Sequence, residues 1–110
     1  MSLYEKIRKS GEDRDVDAYL DLLHDHYVFV RHQSNTEVSK TDWIPVVTAM
    51  MKSPDLVISK ERCLYENDEV LVMHQFMVFP DGTKEAVLVF HQLQDGKIIR
   101  SESGATPIKS

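Results

Sequence analysis

His74 and His91 each sit mid-way along an apolar run, Leu71–Phe79 and Ala86–Leu93. An imidazole with a free pKa of about 6.5 is the natural proton carrier at neutral pH. Arg100 and Glu102 follow shortly after, two residues apart. The carboxylate can orient or charge an imidazole, and the guanidinium can hold a carboxylate or an enolate oxygen. His32 is a third candidate, at the end of an apolar segment where a polar stretch begins. Histidines in this setting suit general acid–base chemistry. Each also has a plainer role: a mid-strand histidine can be a satisfied core or interface residue, His32 an exposed loop residue, and Arg100–Glu102 a surface pair.

Metal chemistry has weaker grounds. The closest histidine pair, His24-x-His26, is read at a helix end, where side chains two apart diverge. No metal and no cofactor is expected. Cys63 is the single cysteine, so no internal disulfide can form and a reducing, cytoplasmic setting is expected. It reads as a small buried hydrophobe in a strand. The net charge of −5, with scattered basic residues, argues against a nucleic-acid partner. No apolar run approaches the roughly twenty residues of a membrane span. The acids between Glu12 and Asp25 read as a solvated helix face.

The elements that must position these groups form one domain over residues 1–110. Ser2-x-x-Glu5 is a capping box, and Gly11 ends the helix it opens. A second helix starts near Asp13, with Val16, Tyr19, Leu20 and Leu23 on one stripe. Tyr27–Val30 reads as a short strand and Gln33–Ser39 as a polar loop. A third helix carries Trp43, Val46, Val47, Met50 and Met51. Pro45 must lie in its first turn, so Thr41 or Asp42, rather than Ser39, is expected to cap it. Four strands follow, with turns at Glu66-Asn67-Asp68, Pro80-Asp81-Gly82-Thr83 and Gln94-Asp95-Gly96-Lys97. Helices gathered against a mainly antiparallel sheet make an α+β fold, here a cone-shaped barrel of curved sheet with three helices on its concave side. The middle strands are apolar on both faces. The helices would cover one face, and a homodimer through the outer sheet face would cover the other.

The segment from Leu22 to Phe29, the helix opening at Asp42-Trp43 and the closing Gln94–Arg100 resemble the nuclear transport factor 2-like superfamily. That group of cone-shaped folds includes SnoaL-type cyclases, steroid Δ-isomerases and limonene epoxide hydrolase. The resemblance spans nearly the whole chain, and its motifs mark a fold rather than a reaction. Set against the steroid isomerases, the phenol donor falls near Tyr4, the base near Arg31 or His32, and the second oxyanion donor near Val89. Valine cannot donate a hydrogen bond, so steroid isomerisation is not expected. The SnoaL-type pair of acid and histidine falls on Glu102 with His74 or His91. The second aspartate of the epoxide hydrolase has no counterpart.

Register decides which of these groups meet. If Phe79 pairs with Lys84, His74 faces Val89 and His91 faces Val72. If Gln94 pairs with Lys97, His91 faces Arg100 and Val89 faces Glu102. All four polar groups then share one face with Val72 and Phe76. A three-residue loop at Pro80-Asp81-Gly82 would instead put the two histidines on opposite faces. The resemblance favours the first register. It gives an apolar cup for a small apolar or carbonyl-containing molecule, with His74, His91 and His32 as catalytic candidates. Tyr4, Tyr27, Trp43, Val72, Phe76, Val89, Arg100 and Glu102 would line it. An acid–base enzyme, a non-catalytic binding module and an association domain with a filled cup all stay open. The first two, with an open pocket, are favoured.

Overall fold

The computed structural model describes residues 1–109. Helix α1 (Leu3–Glu12) opens on Ser2, whose Oγ accepts the Glu5 N–H at 3.2 Å. A short α2 (Val16–Leu20) opens on Asp15, whose carboxylate accepts the Ala18 N–H at 3.1 Å. Arg14, between them, takes φ of +52° and donates to the carbonyls of Met51, Ser53 and Leu56. That guanidinium ties the α1–α2 corner to the last turn of the third helix, whose terminal carbonyls otherwise lack partners.

The strands are β1 (Leu23–Arg31), β2 (Thr36–Ser39), β3 (Val57–Glu66), β4 (Val70–Val78), β5 (Lys84–Gln94) and β6 (Lys97–Pro107). Helix α3 (Lys40–Lys52) joins β2 to the segment before β3. The sheet order is β2-β1-β6-β5-β4-β3, antiparallel throughout except for the parallel β1–β6 pair. Residues of β1 and of β3, near opposite edges, line one common cavity, so the sheet is strongly curled. It does not close into a barrel, because β2 and β3 remain edge strands. The α+β cone expected from the sequence is the observed architecture, as an open sheet. Its core is built by Val16, Leu23, Tyr27, Trp43, Val47 and Ile98.

Several local expectations are corrected. Gln33–Ser39 contains a strand, β2, that folds back on β1 through a turn with Asn35 at φ of +53°. β1 starts at Leu23, so His24 and His26 are strand residues with ring centroids 5.5 Å apart, not helix-end residues. Ser39 caps α3 after all, accepting the Asp42 N–H at 3.3 Å. Pro45 therefore lies beyond the first turn, and the cap bond offsets part of what its missing N–H costs. Cys63 is exposed because β3 is an edge strand.

The register is the consequential correction. Val78 pairs with Lys84, Phe79 N–H donates to the Thr83 carbonyl at 2.8 Å, and Gly82 takes φ of +88°. This is the three-residue loop with glycine in the left-handed position, and it moves every partner by one. His74 faces Leu88, and Leu71 faces His91. The second turn pairs Gln94 with Lys97 as expected, with Asp95 and Gly96 both at positive φ. One residue on, however, Leu93 pairs with Ile98 while Gln92 pairs with Arg100. The extra residue, Ile99, sits in a bulge, so His91 faces Ser101 rather than Arg100.

Candidate functional site

Between the concave sheet face and the helices lies a mainly apolar cavity of about 170 Å³. Its floor is Tyr27 of β1, Met73 of β4, Val89 and His91 of β5 and Ser101 of β6, and its roof is Trp43 and Val47 of α3. Of the sequence-derived candidates, the structure brings Tyr27, Trp43, Val89 and His91 together here. His91 is 6% exposed, and its Nδ1 lies 2.6 Å from Ser101 Oγ. Burial with no anionic partner pushes its pKa down to about 4, so the ring is neutral at pH 7.

The other candidates lie elsewhere. His74, Val72 and Phe76 alternate with the cavity residues Met73, Gln75 and Met77 along β4, so they face outward. The His74 ring meets Phe76 edge-on, with centroids 5.2 Å apart. Arg100 and Glu102 are outward too, and His32 joins them there. His32 Nε2 donates to Glu102 Oε1 at 2.8 Å, Arg100 Nε donates to Glu102 Oε2 at 3.1 Å, and Arg100 Nη1 donates to Glu37 at 3.4 Å. The His32 ring, followed by the Arg100 guanidinium, holds the Glu102 carboxyl below its usual range. Glu102 in turn raises Arg100. The group is largely open to solvent. Tyr4 stays outside the cavity, its hydroxyl donating to the Glu61 carbonyl at 3.3 Å.

Sequence reasoning passed over Glu61, Ser101, Gln75 and Glu85, all of which line the cavity, and met Arg31, another lining residue, only as an approximate counterpart of a base. Glu61 owes its place to a second bulge. Ser59 pairs with Phe76 and Arg62 with His74, so Lys60 and Glu61 together oppose Gln75. Lys60 accommodates the extra residue at φ of +52°. The bulge re-aims Glu61 inward, between the cup and a polar surface groove formed with Arg8, Glu12 and Arg14. Burial, opposed by Arg8 and assisted by Glu12, raises its pKa above the ordinary carboxylate value. A lysine–glutamate interruption in an edge strand is the only sequence signal of that bulge. Ser101-x-Ser103, a small polar period of two, marks the inward face of β6.

Among the described residues no group of three or more His, Cys, Asp or Glu side chains could hold a metal ion. No described helix is long and apolar enough to cross a membrane.

The sequence profile of the SnoaL-like domain matches residues 9–101. No curated protein matches the sequence. Among solved structures, an NTF2-like protein of unknown function from Mesorhizobium loti superposes with a TM-score of 0.77 at 15% identity, covering 93% of this chain and 88% of that one. A SnoaL-like protein of unknown function from Burkholderia thailandensis gives 0.67 at 13% identity, over 94% and 90%. A steroid delta-isomerase from Pseudomonas aeruginosa gives 0.73 at 15% identity, over 94% and 77%. At such identities these likenesses establish the shared fold.

Proposed function

The chain belongs to the SnoaL-like domain family, and from that premise we propose that it is a small acid–base enzyme acting on a monocyclic carbonyl compound. The reaction class is an isomerisation, cyclisation or dehydration α to the carbonyl, carried out in one nuclear transport factor 2-like domain. The carrying observation is the apolar cavity of about 170 Å³ with a neutral, buried His91 on its floor and a half-buried carboxylate, Glu61, on its wall. A cavity near 150 Å³ takes up benzene, so this cup suits one ring and is too small to enclose the four rings of a steroid.

The roles follow from the protonation states. His91, neutral with a pKa of about 4, is a poor base at pH 7 but a good hydrogen-bonding group. Glu61, raised by burial, is the better proton acceptor. Its carboxylate takes the α-proton, and the C–H electron pair moves into the carbonyl to give an enolate. Returning that proton to the far carbon of a conjugated enolate completes an isomerisation. This replaces a histidine base with a carboxylate and keeps His91 as the orienting polar group. His74 and His32 lie on the other face of the sheet.

The test is α-deuteration of cyclohexanone in heavy water, followed by NMR. The native protein accelerates exchange, and Glu61→Gln loses it by roughly 10²- to 10⁴-fold. His91→Gln reduces it less. Cyclohexanone that binds without accelerated exchange would leave a binding module instead of an enzyme.

The same reading makes the protein a cytoplasmic homodimer through the outer sheet face. In support, Val72, Phe76, Leu88 and Phe90 lie on that face, and Leu88 is 47% exposed. A free, exposed Cys63 suits a reducing compartment. Sedimentation velocity checks the assembly: a dimer at micromolar concentration that Leu88→Asp converts to monomer.

A further inference from the structure

Two donors in the cup form no hydrogen bond. Tyr27 Oη and Trp43 Nε1 are buried without a hydrogen-bond partner among the described residues. Both residues are more than nine-tenths buried, at 1% and 5% exposed, and both line the cavity. Natural proteins rarely leave such groups unpaired, and those that do usually reserve them for a ligand or for water. An indole N–H can only donate. Burial raises the Tyr27 hydroxyl well above its ordinary value, so it keeps its proton and can donate as well.

The nearby groups do not relieve the two. The Tyr19 hydroxyl lies beside both donors and the Ser101 hydroxyl beside Tyr27, but neither completes a hydrogen bond with them; Ser101 is paired instead with His91 at 2.6 Å. The donors are also held in place. The Trp43 ring stacks on Phe29 with centroids 4.3 Å apart and planes 3° from parallel, which fixes the direction of the indole edge. Tyr27 is held by packing, 1% exposed within the core cluster that also contains Leu23, Trp43 and Ile98. Donors fixed before a ligand arrives favour an oxygen on which negative charge sits or develops.

We propose that Tyr27 Oη and Trp43 Nε1 form a two-donor site for a single acceptor oxygen of a monocyclic ligand, a carbonyl, enolate or phenolate oxygen. The inference rests on the pocket reading given above and adds the polar atom by which the ligand is recognised. It assigns that atom to the junction of β1 and α3, using neither Tyr4 nor Val89. Through this contact the cup distinguishes cyclic ketones and phenols from hydrocarbons of the same shape.

Trp43 is the only tryptophan in the chain, so its indole N–H gives a single, assignable NMR signal. The experiment titrates ¹⁵N-labelled protein with cyclohexanone and phenol, and with methylcyclohexane and toluene as shape controls. All four bind, and the Trp43 Nε1–H proton moves downfield only with the two oxygenated probes. Tyr27→Phe then weakens cyclohexanone and phenol by about tenfold, the scale of one buried hydrogen bond, and the hydrocarbons by less than about twofold. If all four bind and the variant affects them alike, or the indole signal stays put with the ketone, the two-donor site is wrong while the pocket stands. If none binds, the pocket itself is wrong and the inference falls with it. Should Tyr27→Phe fail to fold, the indole signal of the native protein decides alone.

Discussion

His91 and His32 stand on opposite faces of one curled sheet. The inner ring is buried, faces a serine hydroxyl and is kept neutral. The outer ring is half-exposed and donates to a carboxylate that also holds an arginine. The same side chain thus has a depressed pKa in one place and a hydrogen bond to the Arg100–Glu102 ion pair in the other. What separates them is side-chain parity along the strands. On β6 the inward positions are Ser101, Ser103 and Ala105, and the outward ones Arg100 and Glu102. The charges are sorted to the outside, and hydroxyls and methyls are left to the cup. A ligand entering the floor of this cup therefore meets fixed dipoles and apolar walls, with charge confined to Glu61, Glu85 and Arg31 on its walls.

That contrast can be broken most forcefully by truncating one leucine on each face. Leu71 is 0% exposed on the inner side, and Leu71→Ala is expected to cost about 2–5 kcal/mol in urea unfolding. Leu88→Ala, on the outer face, should cost less than about 0.5 kcal/mol in the monomer. Equal losses would mean that the two faces do not differ as described.

Acid tests the inner histidine. Its folded pKa lies near 4, against 6.5 in the unfolded chain. Below pH 6.5 the unfolded state therefore gains a proton that the folded state refuses. Stability is full above about pH 6.5, declines by about 3 kcal/mol as pH falls to about 4, and levels off below. His91→Gln should remove that slope. The outer network responds in a lower window. The depressed Glu102 carboxyl contributes above its ordinary range, and its contribution is lost only as pH falls through its lowered folded value.

A smaller effect concerns the bulge that admits Glu61. Lys60 holds a left-handed backbone that costs a side-chain-bearing residue about 1–2 kcal/mol, of which glycine's extra chain freedom takes back part. Lys60→Gly should stabilise by up to about 1 kcal/mol in thermal unfolding and leave Glu61 in the cup. The smallest expected effect is that of His32→Ala. Its hydrogen bond to Glu102 is largely exposed on the histidine side, so unfolding should shift by less than about 1 kcal/mol. A larger loss would assign the outer network a structural weight that its exposure denies.

Much of this architecture is legible in the sequence, and the misplaced site residues share one cause. The Ser2 cap and the Asp95-Gly96 turn carry their own chemical signatures and are read correctly, whereas the helical stripes hold only in part: Leu23 belongs to β1, and Val46 of α3 is exposed. Tyr27, Trp43 and Val89 fall in the cavity as expected. Register is different. β4 is apolar on both faces, so its pattern does not say which residues point inward. The choice passes to the Pro80-Asp81-Gly82 loop, whose three-residue form differs from a tighter one by a single residue. The tighter form puts His74, Val72 and Phe76 in the cup, and the observed loop turns them out of it. Arg100 and Glu102 were misplaced by the bulge at Ile99, which has no distinctive residue to announce it. Glu61 was missed because Lys60 is an unusual occupant of a left-handed position.

The bulge at Ile99 acts as a parity digit for the whole end of β6. With it, the strand presents Ser101, Ser103 and Ala105 to the cup. A ladder run straight from the Gln94–Lys97 pair would present Arg100, Glu102 and Gly104 instead, turning a neutral floor into a charged one. No substitution is needed for that exchange, only a one-place change in reading frame at the level of strand pairing. Gaining or losing a single residue beside a turn can thus change which side chains this cone presents to its cup without changing the fold. In this chain, the number of residues between turns decides the character of the cup as much as their identity does.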